Sequence, residues 1–142
     1  MLLGTFTHSL DSKGRLIVPA GMREDLGDHF YLCMGMDERS LYFYSSQKFQ
    51  EFASKLLSLS STDKNVRRFK ENFFSLSSPA DIDSQGRIVV TKELREHAGL
   101  SKDVLIRGAG DYAVLTASER IQPSLTQEEL DELTLALSER GL

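Results

Sequence analysis

Leu10 to Pro19 reads LDSKGRLIVP, and Ile82 to Val90 reads IDSQGRIVV. The two phrases lie 72 residues apart, and the chain stays in register with itself around them. Asp11, Ser12, Gly14, Arg15 and Val18 fall on Asp83, Ser84, Gly86, Arg87 and Val90. Further on, Arg23, Glu24 and Gly27 fall on Arg95, Glu96 and Gly99, while Ser46 and Gln50 meet Ser118 and Gln122. Apolar classes follow the same shift: Leu10 with Ile82, Leu16 with Ile88, Ile17 with Val89, Met22 with Leu94, Leu32 with Val104 and Phe43 with Leu115. An ungapped register over about 40 residues is the signature of an internal duplication.

Each copy carries the same local signals. Thr5 to Leu10 alternates polar and apolar residues, the pattern of a half-buried strand. Asp-Ser-Lys-Gly follows as turn chemistry, since Asp bonds backbone ahead of it and Gly tolerates positive φ. Leu16 to Val18 reads as a second strand, Pro19 as a helix start, and Ala20 to Leu26 as a short helix stopped by Gly27. Phe30 to Met34 and Leu41 to Tyr44 read as two more strands, with a turn around Asp37-Glu38. In the second copy Thr91 takes the place of Pro19 and supplies an N-cap, Gly99 repeats the helix stop, and Val104 to Ile106 and Tyr112 to Leu115 repeat the strand pair. The predicted unit is β-hairpin, helix, β-hairpin, used twice. Between the copies, Phe49, Phe52, Ala53, Leu56 and Leu57, then Val66, Phe69 and Phe73, have helical spacing and predict two helices with core-facing stripes. After Pro123, Thr126 with Glu129 forms a capping box and Leu125 with Leu130 a hydrophobic staple, opening a helix striped by Leu130, Leu133 and Leu137.

A unit of about 45 residues buries too little surface to be stable alone, so the two copies are expected to share one core. Composition is that of an ordinary globular chain, 40% hydrophobic and 27% charged, which argues against disorder. No apolar run approaches the roughly 18 residues of a membrane span, and no export signal is expected at the start. The single cysteine, Cys33, excludes an internal disulfide framework and suits a reducing cytoplasm. The net charge of −4 is unevenly placed: residues 124–142 hold five acids (Glu128, Glu129, Asp131, Glu132, Glu139) against Arg140 alone. The rest of the chain is neutral overall, and a neutral body can carry a basic face.

Catalysis finds no foothold in the sequence. Cys33 lies in the apolar strand YLCMG, where a buried structural thiol is the expectation. His8, His29 and His97 lack metal-ligand spacing and read as surface or boundary residues. Asp81 and Asp83 share a strand face without a third ligand, and no phosphate loop or dinucleotide fingerprint is present. Neither a metal nor a cofactor is expected. The Asp-x-x-Gly-Arg loops remain. They serve as turns held by their own Asp and Arg, and they also present arginine, the side chain that pairs bidentately with guanine edges and phosphates. Each copy supplies one arginine at the loop and one in the following helix: Arg15 with Arg23, Arg87 with Arg95. A two-stranded ribbon carrying them is narrow enough for the major groove. So few bases per chain give little affinity, which calls for assembly of several copies.

At these residues the sequence resembles the MraZ family of bacterial transcriptional regulators, built from two SpoVT/AbrB-like units. The family's D-x-x-x-R signature is matched by Asp11 with Arg15 and by Asp83 with Arg87, and its longer form in full only at Asp11 to Pro19. The opening MLLGTFTHSLD also resembles the family start, and the similarity covers about residues 1 to 140. The resemblance implies an α+β fold in which duplicated β-hairpin–helix–β-hairpin units form a shared, intertwined, swapped-hairpin-like β-barrel with flanking helices. It divides the chain into a first unit at 1–50, a helical connector at 51–76, a second unit at 77–122 and an acidic amphipathic helix at 123–142. It implies a ring-shaped homo-oligomer, cytoplasmic and nucleoid-associated, that binds double-stranded DNA at repeated short promoter elements and controls the division and cell-wall gene cluster. The DNA-binding set is then Lys13, Arg15, Arg23, Arg87 and Arg95, supported by Asp11, Gly14, Pro19, Asp83 and Gly86. Gln85 for Lys13 and Thr91 for Pro19 mark the second motif as the departing one, suited to serve as structural partner of the first. A protein-interaction or scaffold module, with the acidic tail as docking element, is the alternative.

Overall fold

The computed structural model describes residues 1–37, 39–120 and 124–142. Glu38 of the expected turn, Gln122 of the repeat register and Pro123 before the tail lie outside the described residues. Among the described residues, eight strands and five α-helices follow one another: β1 (Thr5–Ser9), β2 (Arg15–Ile17), α1 (Ala20–Leu26), β3 (His29–Met34), β4 (Leu41–Ser45), α2 (Ser46–Ser58), α3 (Lys64–Leu76), β5 (Ser78–Asp81), β6 (Arg87–Val89), α4 (Lys92–Ala98), β7 (Asp103–Gly108), β8 (Ala113–Ala117) and α5 (Gln127–Ser138). The class is α+β with antiparallel pairing throughout the described strands.

Local chemistry sets the boundaries. Thr91 caps α4 by accepting from the Leu94 amide at 3.3 Å, and Gly99 ends it in the left-handed region at φ 64°. Asp63 caps α3 through the amides of Asn65 and Val66, and Thr126 caps α5 through that of Glu129. Pro19 stands at the N-cap of α1 with φ −54° and makes no side-chain bond, since its ring offers no acceptor to the first amides.

The pairing departs from the expected hairpins. β3 with β4 and β7 with β8 are hairpins as the sequence predicts. β1 does not pair with β2. It pairs along its whole length with β7 of the other half, from Thr5 opposite Arg107 to Ser9 opposite Asp103. β5 likewise pairs with β3 of the first half. β2 and β6 pair with each other, Leu16 directly opposite Ile88. The reason is burial. Leu16 and Ile88 are both excluded from solvent, and neither half alone has a layer to cover them. Exchanging strands lets one core form from both halves, with Leu10, Leu16, Val18, Met22, Phe30 and Phe43 meeting Ile88, Val90, Leu94, Val104, Ile106 and Leu115.

The hydrogen-bonded order of the larger sheet is β1-β7-β8-β4-β3-β5, with β2–β6 as a separate ribbon. The expected barrel is therefore not closed by hydrogen bonds among the described strands. β5 ends the sheet on one side, where Pro79 opposite Tyr31 has no N–H to donate, as suits an edge strand.

One sheet face covers the shared core. The other receives α2 and α3, where Cys33 and Tyr42 pack against Phe49, Leu56 and Phe73. Phe73 is fully buried and its ring lies 5.2 to 5.9 Å from those of Phe49, Phe52, Phe69 and Phe74. Cys33 is the buried thiol the sequence predicts, and burial pushes its pKa up to about 12. The stripe predicted for α2 is narrower than expected: Leu56 is buried, but Leu57 points to solvent.

Candidate nucleic-acid interface

Each Asp-x-x-Gly-Arg segment folds around its own aspartate. Asp11 Oδ1 accepts from the amides of Lys13 at 2.9 Å and Arg15 at 2.8 Å, and Oδ2 takes the Arg15 Nε. Asp83 repeats the arrangement, with the Gln85 amide at 2.8 Å, the Arg87 amide at 2.9 Å and Arg87 Nε at 3.0 Å. The backbone closes both loops in the same way, Gly14 N–H to the Asp11 carbonyl and Gly86 N–H to the Asp83 carbonyl, each at 3.0 Å. Chiefly because it accepts the Arg15 amide, Asp11 holds its carboxyl well below the usual range, at about 2. Asp83 is shifted in the same direction, led by the Arg87 amide.

Gly14 and Gly86 are required twice over. Their φ values, 77° and 78°, fall where a side chain is strained, and neither has room for a Cβ. A Cβ on Gly14 would lie 2.8 Å from the Val90 carbonyl oxygen and 3.0 Å from Arg95. On Gly86 it would overlap the Arg23 guanidinium. Each loop is thus seated on the other half. Val18 N–H donates to the Gly86 carbonyl at 3.0 Å, and Val90 N–H to the Gly14 carbonyl at 2.8 Å.

Arg23 and Arg95, expected on the reading surface, lie beneath the loops. Both are half-buried, and each spends Nε on a carbonyl of its own half, Val18 at 3.0 Å and Val90 at 3.1 Å. Arg15 and Arg87 occupy the outer face of the β2–β6 ribbon. The register puts Arg15 opposite Val89 and Ile17 opposite Arg87, so the two arginines are diagonal neighbours with backbones about 7–8 Å apart. Their Nε atoms are committed to the loops, which leaves the two terminal nitrogens of each guanidinium as its outward donors. Arg15 is 34% exposed and Arg87 25%. Between them stand Ile17, 47% exposed, and Val89, 55% exposed. Sequence reasoning assigned these two to strands without seeing that they face out; the signal was their position between Leu16 and Val18, and Ile88 and Val90, which alternation sends inward. Lys13 and Gln85 are exposed at the loop tips.

Asp81 and Asp83, read as sharing a strand face, have separate partners. Asp81 ends β5 and its Oδ1 lies 2.6 Å from His29 Nδ1, while Asp83 belongs to the loop and Arg87.

Fold and site together define a tandemly duplicated α+β protein whose two Asp-x-x-Gly-Arg loops are joined on one pseudo-twofold ribbon. The chain matches the family model for MraZ, described as "MraZ protein, putative antitoxin-like", over residues 1–72 and 73–115. A protein of Alkaliphilus oremlandii named transcriptional regulator MraZ is 38% identical over 144 residues, covering all of both chains. Proteins of the same name from Halothermothrix orenii and Acetivibrio thermocellus are 38% identical over the whole of both chains and 45% identical over 76% of this chain and 75% of the relative. The chain belongs to the MraZ family.

Proposed function

We propose that this chain is a transcriptional regulator that reads DNA through the outer face of the β2–β6 ribbon. The observation that carries the reading is the rigid presentation of Arg15 and Arg87 on one face, each anchored by its Nε and free to offer a pair of terminal nitrogens. Such a pair fits the O6 and N7 acceptors of guanine or two phosphate oxygens. Ile17 and Val89 beside them suit contact with thymine methyl groups. Lys13 adds a phosphate contact at the first loop. Arg23 and Arg95, proposed from sequence as DNA contacts, support the ribbon from below in this reading, with Asp11, Gly14, Pro19, Asp83 and Gly86 fixing its geometry.

The strand exchange between halves is taken as the interlocking of two swapped-hairpin units of SpoVT/AbrB type. One ribbon neutralises few phosphates, and linked weak sites gain about 10² to 10⁴ in avidity without a new contact. The working form is accordingly a ring-like homo-oligomer engaging repeated short promoter elements in the nucleoid. The division and cell-wall gene cluster, including the chain's own promoter, is the proposed target; the names of the relatives support a role in transcription regulation. The test is a gel-shift series on the DNA upstream of the gene at several salt concentrations. A shift resistant to competitor DNA and weakening steeply with salt supports the reading. Binding that does not distinguish this DNA from a scrambled sequence overturns it.

A further inference from the structure

The C-terminal helix and the α2–α3 pair are each incomplete in a matching way. α5 is capped and regular, yet no residue of it is buried. Leu130, Leu133 and Leu137 form a stripe about half exposed on a helix about 18 Å long. Elsewhere, the C-terminal half of α2 and the first turns of α3 line an open groove of about 550 Å³, walled almost wholly by apolar atoms, with Met36, Phe52, Leu56, Leu59, Val66 and Phe69 around it. Met36 and Leu59 are both about half exposed there.

Charge matches as well as shape. Residues 52–69, which with Met36 line the groove, carry four bases (Lys55, Lys64, Arg67, Arg68) against one acid (Asp63). Lys55 lies at the groove itself. The tail from 124 to 142 carries five acids against one base, and four of them, Glu128, Glu129, Asp131 and Glu132, crowd the first half of α5. An apolar stripe flanked by acids, matched to an apolar groove with Lys55 in its wall and a basic excess along the segment that forms it, is the pattern of helix-in-groove recognition. The helix leaves the groove of its own chain open and its own stripe uncovered.

We propose that α5 of one copy docks in the α2–α3 groove of a second copy, with the leucine stripe inward and the acidic first turns against Lys55 and the cations of α3. A helix donated to a neighbour's groove is a heterologous contact, which closes into a ring when the rotation allows. The proposal rests on the assembly part of the proposed function and gives it a contact surface remote from the ribbon.

The test uses full-length chains. Light scattering at micromolar concentration compares the unaltered protein with Leu133→Asp/Leu137→Asp on the helix and Leu59→Asp in the groove. Both variants are expected to fall to the mass of a smaller species. Lys55→Glu is expected to weaken assembly, and Glu128→Lys/Glu132→Lys to restore it. Copies carrying Leu59→Cys or Leu133→Cys, mixed and treated with a short bifunctional maleimide, are expected to cross-link to each other; Cys33 is buried and serves as an internal control. Assembly unchanged by all the substitutions overturns the docking while leaving the oligomer standing. Cross-linking only within a chain carrying both cysteines overturns it in favour of the helix's own groove. An unaltered protein that runs as a monomer overturns docking and oligomer together and leaves the groove to a different protein. Intact docking without a DNA shift strikes the DNA reading alone.

Discussion

The two Asp-x-x-Gly-Arg loops are nearly superimposable in their bonding and unequal in their surroundings. In each, one carboxylate gathers two amides and an arginine Nε, and a glycine at positive φ closes the turn. What differs is what the loop offers outward. The first tip carries Lys13, the second neutral Gln85, and Arg15 is more exposed than Arg87. Asp81 adds a carboxylate near the second motif, though His29 engages it rather than Arg87. The seats differ too: a Cβ on Gly14 would first meet a backbone carbonyl oxygen, with Arg95 beside it, and one on Gly86 would first meet the Arg23 guanidinium. Duplication thus preserves the bonds that build the turn and leaves the exposed positions to diverge.

The largest expected effect separates the two arginines. Arg15→Ala is expected to lower affinity for a promoter fragment by two orders of magnitude or more, because a lost guanine contact is worth about 1–3 kcal/mol per site and several sites act together. Arg87→Ala is expected to lose about tenfold or less. Titration of both onto one fragment at fixed salt, with circular dichroism melts alongside, makes the comparison. Equal losses with unchanged melting would make the loops equivalent readers.

Next come the glycines. A left-handed φ costs a side chain about 1–3 kcal/mol. Gly14→Ala and Gly86→Ala are both expected to lower the melting temperature. Gly14→Ala is expected to cost more, since the Val90 carbonyl that its Cβ would meet at 2.8 Å is backbone, whereas Arg23 can swing aside. Arg23→Ala in the Gly86→Ala background then recovers part of the loss. Gly86→Ala melting below Gly14→Ala would reverse the assignment of rigid and yielding seats.

A pH series probes the loop aspartates. The folded carboxyl of Asp11, at about 2, lies below its ordinary value of 3.8. Its stabilising bonds are fully present above the unfolded value and disappear as pH falls through the folded one. Melting temperatures of the unaltered chain and Asp11→Ala are therefore expected to differ most near neutrality and to converge as pH drops from about 4 toward 2. Asp83→Ala is expected to follow the same direction. A gap independent of pH would remove the charge of the aspartates from the account.

The smallest effect is expected from Gln85→Lys, which gives the second tip the charge of the first. One added phosphate contact steepens the dependence of log affinity on log salt by about 0.9. An unchanged slope in filter binding would place the second tip away from the DNA.

The sequence by itself determined the duplication, the loops and the local elements. Turn chemistry, caps and helix stops act within a few residues, so Asp11, Gly14, Thr91 and Gly99 announce their roles in the chain. The shared core was legible too, because a unit of about 45 residues has too little interior of its own. Strand partnership was not legible. Alternation says which residues face inward, but the partner of β1 or β2 is whichever strand completes a common core, a property of both halves at once. The positions of the four arginines divide on the same ground. Identical spacing makes Arg15 and Arg23 equally eligible in sequence. Only the packing of α1 and α4 under the opposite loops puts Arg23 and Arg95 beneath the ribbon and leaves Arg15 and Arg87 on its outer face, because each buried-side guanidinium packs against the glycine of the opposite loop while its Nε is held by a carbonyl of its own half.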